Sequence, residues 1–100
     1  MATLAVREQD LAVLRTTFRR FPFVREVRIF GSRATGESRR ASDLDLAVFA
    51  PEATIREWAE LREVLEDAPL VFEIDLVRAD ALADSRLADK VAAEGLTIYP

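Results

Sequence analysis

The segment Val27-Arg28-Ile29-Phe30-Gly31-Ser32 is followed, after the ten-residue loop Arg33 to Ser42, by Asp43-Leu44-Asp45-Leu46-Ala47-Val48. The first run mixes β-branched and charged residues and closes on Gly31, as a strand entering a tight turn does. In the second, Leu44, Leu46 and Val48 alternate with Asp43, Asp45 and Ala47, so a strand here points its aliphatics to one side and both carboxylates to the other. A Gly-Ser turn at a strand end offers backbone N–H groups and a hydroxyl to phosphate oxygens. Two acids on one strand face can hold the divalent cations that phosphates require. Together they have the layout of a metal-dependent nucleotide site.

Working outward, Leu4, Leu11, Leu14 and Phe18 recur at helical spacing and predict a helix over about residues 4–20, ended by Phe21-Pro22-Phe23. The first strand runs from Val24 to Phe30. The loop Arg33 to Ser42 carries Gly36, two Ser and three Arg without apolar periodicity, and reads as a mobile cover with room for one short helical turn. Thr54-Ile55-Arg56-Glu57 fits a capping box, and Trp58, Leu61 and Leu65 continue a second helix to Glu66 before Asp67-Ala68-Pro69 breaks it. Val71 to Val77 is a third strand, with Phe72, Ile74 and Leu76 on one face and Glu73 and Asp75 on the other. Ser85 caps a last helix with Leu87 and Val91 on one face, Lys90 in its last turn and Gly95 as the C′ residue. Leu96 to Tyr99 closes the chain as a short strand.

The order α-β-β-α-β-α-β predicts an α/β fold, one small domain over residues 1–100 built on a single sheet of about four strands flanked by helices. The order of strands within the sheet is not set by this pattern. One hundred residues leave no space for a separate module to recognise an acceptor. Half the residues are apolar, so the chain can bury a core.

Composition narrows the chemistry. With no Cys there are no disulfides or thiolate metal sites, and with no His the usual general base and transition-metal ligand are missing. Acid-base and metal chemistry must therefore run on carboxylates, whose oxygens favour magnesium, with manganese as the alternative. The chain start lacks a basic segment followed by a long apolar run, and no window is long enough to cross a membrane, which predicts a cytoplasmic protein. The net charge of −4 argues against general nucleic-acid binding. It hides an asymmetry: residues 1–42 carry +5, and residues 43–100, which hold the candidate metal ligands, carry −9.

Same-face neighbours on a strand lie about 7 Å apart, and two Asp side chains converging from there can bridge ions about 3.5–4 Å apart. Asp43 and Asp45 are thus candidate ligands for two metals, with Asp75 as third ligand or general base. Three such acids repel one another when empty and should be stabilised by magnesium. Gly31 and Ser32 are candidate triphosphate ligands, and Arg33 either presents its fork of donors to phosphate or lies solvated on the surface. Trp58 belongs to the core at its helical spacing, and Tyr99 to a sheet edge.

At these residues the chain resembles the minimal nucleotidyltransferases of the DNA polymerase beta-like superfamily, whose signature is Gly-Ser, a loop, Asp-x-Asp and a third acid on a later strand. The matching words are Phe30-Gly31-Ser32-Arg33-Ala34-Thr35-Gly36, Ser42-Asp43-Leu44-Asp45-Leu46, Ile74-Asp75-Leu76-Val77 and Glu94-Gly95-Leu96-Thr97-Ile98-Tyr99. The resemblance implies a mixed sheet and transfer of a nucleoside monophosphate, from ATP or another nucleoside triphosphate, to a hydroxyl with release of pyrophosphate. It further implies two magnesium ions on Asp43 and Asp45, with Asp75 completing the metal site and activating the acceptor. Gly31, Ser32 and, by extension, Arg33 would bind the triphosphate. Many such short proteins are antitoxins paired with a helical HEPN-domain toxin, some of which they adenylylate, so a hetero-oligomer with such a toxin is expected. The alternatives are a non-catalytic nucleotide-binding module that neutralises a partner by contact, and a subunit lending its nucleotide site to a larger enzyme.

Overall fold

The computed structural model describes residues 6–31, 44–70, 73–81 and 85–100. Its elements are α1 (Glu8–Arg19), β1 (Glu26–Phe30), β2 (Leu44–Phe49), α2 (Ile55–Glu66), β3 (Ile74–Arg78), a 3₁₀ turn (Ala79–Ala81), α3 (Ser85–Glu94) and β4 (Leu96–Tyr99). The order of helices and strands is the expected one, with the 3₁₀ turn added. The predicted loop cover over residues 33–42 lies outside the described residues, as does Leu4.

Four strands pair in the order β3-β2-β1-β4. β1 runs antiparallel to both β2 and β4, while β2 and β3 are parallel, which makes the sheet mixed. β1 and β2 form the centre, with the turn at Gly31 and the start of β2 at one end of the sheet. The β2–β3 connection is the parallel crossover that needs a helix, and α2 supplies it. Its capping box is complete: Glu57 N–H donates to Thr54 Oγ1 (3.1 Å) and Thr54 N–H donates to the Glu57 carboxylate (2.9 Å).

The period-2 pattern decides what each sheet face buries. Leu44, Leu46 and Val48 of β2 join Val27 and Ile29 of β1 in the main core, with Leu11, Leu14 and Phe18 of α1 and Leu61 and Leu65 of α2. Trp58 packs against this core half-buried, and the Arg78 guanidinium lies 5.6 Å from the centre of its ring. Arg78 also donates to the carbonyls of Ala50 (3.0 Å) and Ala53 (2.8 Å), while Asp80 Oδ1 accepts from Ala50 N–H (2.9 Å). This pair ties the end of β3 to the entry of α2. Tyr99 anchors the opposite edge, its ring 6.0 Å from Phe18.

The second face is covered by α3, through a smaller cluster of Phe30, Ala47 and Val91 with Leu87, Phe49 and Val77 around it. Three expectations for α3 are corrected. Ser85 is the first residue of the helix and not its cap. Lys90 sits one residue short of the last turn, which has no basic residue. Gly95 does not take the left-handed conformation of a C′ cap, since Gly31 is the single positive-φ residue among those described. Gly95 instead leads straight into β4, and a Cβ there would overlap the Val91 carbonyl and meet Arg28 Cδ at 3.1 Å. No helix among the described residues is long and apolar enough to cross a membrane.

Candidate functional site

The site is built where β1 ends and β2 begins. Gly31 follows β1 at φ +76°, a conformation that costs an L side chain about 1–2 kcal/mol and costs glycine nothing. It is buried, and the volume a Cβ would need is already filled by the Asp45 carboxylate, with which that atom would overlap at Oδ2. Glycine is thus required here twice, by backbone conformation and by the acid lying against it.

Asp45 pairs with Phe30 across the antiparallel β1–β2 ladder and with Asp75 across the parallel β2–β3 ladder. Neighbouring strands are about 4.8 Å apart, and residues in register point to the same face. The face is the one shared with Ala47 and Val77, on the α3 side of the sheet. Asp45 is half-buried and Asp75 is exposed, so the pair opens outward from the sheet. Asp75 also lines a groove of about 140 Å³ with Arg62, Leu65, Glu66, Ile74 and Leu76, between the end of α2 and the outer edge of β3.

Of the residues singled out in the sequence, Gly31, Asp45 and Asp75 are therefore brought together at one end of the sheet. Ser32, Arg33 and Asp43 lie outside the described residues, and among the described residues no group of three acids converges as a metal cluster. Two same-face carboxylates with oxygen donors alone, one of them open to solvent, fit a hard divalent cation. Left without one, they repel.

The structure adds a residue to which sequence reasoning gave no individual role. Glu94, the last residue of α3, accepts the Gly31 N–H at Oε1 (3.2 Å). It was visible in the sequence as the start of the closing Glu94-Gly95 word, but nothing local links it to a turn 63 residues earlier. The Gly31 N–H is consequently already satisfied within the protein, and Gly31 contributes its missing side chain and left-handed turn.

Comparison with known proteins gives a consistent result. A family model described as polymerase beta, nucleotidyltransferase, matches residues 12–100. The Haemophilus influenzae protein named "Probable protein adenylyltransferase MntA" is 30% identical over 77 residues, covering 76% of this chain and 68% of that protein. A crystal structure of a toxin-antitoxin with AMP-PNP aligns with a TM-score of 0.73 at 26% identity, covering 89% of this chain and 72% of that one. A chain whose structure was solved as a candidate minimal nucleotidyltransferase aligns with a TM-score of 0.65 at 38% identity, covering 88% and 87% of the two chains.

Proposed function

This chain belongs to the polymerase beta nucleotidyltransferase family, and we propose that it transfers AMP from ATP to a hydroxyl of a partner HEPN-domain toxin, for which it is the antitoxin. The observation that carries the reading is the in-register pair Asp45 and Asp75 beside the left-handed Gly31. The choice of AMP and of a toxin acceptor rests on two relatives, the adenylyltransferase named in Haemophilus influenzae and the toxin-antitoxin solved with AMP-PNP. The kind of toxin rests on the motif resemblance.

Asp43, Asp45 and Asp75 would hold two magnesium ions, and the absence of His and Cys leaves oxygen as the strong side-chain donor. Magnesium, when bound, would neutralise the phosphates and acidify the acceptor hydroxyl. The chain's own residues divide the remaining work. Gly31 lets the turn approach the triphosphate closely, Ser32 donates to its oxygens, and Arg33 offers paired N–H groups to the same tail. Asp45, tethered on the central strand β2, would hold its part of the magnesium site at a fixed place beside the turn. Asp75, exposed on β3, accepts the proton of the acceptor hydroxyl as that oxygen bonds to the α-phosphorus and pyrophosphate departs. An exposed base suits an acceptor that arrives on another protein.

The test is incubation with magnesium, each labelled nucleoside triphosphate in turn and the protein encoded beside this one, comparing wild type with Asp43→Asn plus Asp45→Asn. Labelling of the partner that the double variant abolishes is the expected result. Equal labelling by both proteins overturns catalysis by these acids. No labelling, with the partner still bound and inhibited, replaces it with neutralisation by contact.

A further inference from the structure

We propose that Glu94 is a positioning residue for the nucleotide site: from the end of α3 it holds the Gly31 N–H and so keeps the turn in the conformation that receives the triphosphate. The inference rests on the nucleotidyl-transfer reading of that turn. Its starting point is the hydrogen bond from Gly31 N–H to Glu94 Oε1 at 3.2 Å.

Three features argue that the contact is built. Glu94 ends a helix, where a carboxylate faces the negative end of the helix dipole and is locally disfavoured. The hydrogen bond to Gly31 offsets that local preference. The chain then leaves α3 through Gly95, whose N–H donates to Val91 O (2.8 Å). A side chain at Gly95 would strike that same carbonyl and Arg28, so a tight exit is needed to bring α3 this close to β1. Finally, Phe30 and Val91 share the small core cluster, which seats α3 against β1 immediately before the turn.

The effect on the site follows from what surrounds Gly31. A glycine in a left-handed turn has the widest choice of backbone conformations, and something must select one. Asp45 crowds the Cα on the side a Cβ would occupy, and Glu94 holds the N–H. With both in place the peptide joining Phe30 to Gly31 has a fixed orientation. Without Glu94 the Gly31 N–H loses its acceptor, and the turn is no longer held in one orientation when the triphosphate arrives. Glu94 thus acts through Gly31.

The test compares wild type, Glu94→Ala, Glu94→Gln and Glu94→Asp, reading exchange of the Gly31 amide by NMR and the Kd for Mg-ATP by titration. Gly31 is one of three glycines in the chain, which eases assignment of its amide. Loss of a hydrogen bond to a charged acceptor predicts about tenfold faster amide exchange and about tenfold weaker Mg-ATP binding in Glu94→Ala. Glu94→Gln keeps an acceptor oxygen at the same reach and restores both readouts, whereas Glu94→Asp, one methylene shorter, restores neither. The aspartate variant decides the matter should the alanine variant fail to fold. Wild-type amide exchange or wild-type Mg-ATP binding in Glu94→Ala or Glu94→Asp overturns the assignment, as does a Gln variant as weak as Ala. Absence of Mg-ATP binding by the wild type overturns the nucleotidyl reading itself, an outcome told apart by the amide readout, which needs no nucleotide.

Discussion

At the scale of single residues, Gly31 is the position on which the site depends most directly. Any side chain there must leave the left-handed region or accept a cost of about 1–2 kcal/mol. It must also displace the Asp45 carboxylate, because the two occupy the same volume. Gly31→Ala is therefore expected to lower stability by about that amount and to weaken Mg-ATP binding beyond what the lost stability accounts for. Thermal melting and a titration on the same sample check this. Unchanged nucleotide affinity in a destabilised variant would separate the turn from the site. That a glycine belongs here was legible in the sequence, since Gly31 closes a strand as it enters a tight turn. The reason for it was only half legible: a left-handed turn can be inferred from one residue, but the acid that fills the missing side chain's place comes from the next strand.

At the scale of elements, α2 is the crossover that makes β2 and β3 parallel, so its start sets where β3 can begin. The Thr54–Glu57 capping box satisfies two N–H groups at that start, and both hydrogen bonds are present. Thr54→Ala should cost about 1 kcal/mol and lower Tm by roughly 5 °C in a domain of this size. Its Mg-ATP affinity should match wild type once measured below the transition, because the cap lies at the far end of β2 from Asp45. A calorimetric scan with a parallel titration checks both halves, and a shift under 1 °C would show the box to be idle. This element was legible because its signal is local, as was β2 with its alternating aliphatics and acids. The signals that misled at α3 were also local. Gly95 reads as a C′ cap and Lys90 as a last-turn base, but the direct passage into β4 and the proximity of Arg28 set the geometry of that end.

At the scale of the whole molecule, sequence periodicity tells which face a side chain takes and leaves its neighbours open. Asp45 and Asp75 could be assigned to polar faces of their strands from alternation alone. That they stand side by side depends on β3 pairing with β2 in one particular register, and no local pattern specifies it. The order β3-β2-β1-β4 follows from global packing: the helices α1 and α2 must bury the same aliphatic face, and α3 the other. The contact between Glu94 and Gly31 is of the same kind, joining the last helix to the first strand.

The sheet order has a further consequence for endurance. Asp45 stands on a strand flanked on both sides, whereas Asp75 stands on β3, which has β2 as its one neighbour among the described strands. Margins of a sheet fray before its centre, through openings far smaller than global unfolding. The two halves of the carboxylate pair therefore have unequal lifetimes on warming, and Asp75 should detach while Asp45 is still held in place. Native-state hydrogen exchange is expected to release the β3 amides ahead of those of β1, and transferase activity to fade at a temperature where the near-ultraviolet signal of the core is unchanged. Exchange of both strands in a single step would make the site as durable as the fold. Heat, on this account, silences the enzyme before it unfolds the protein.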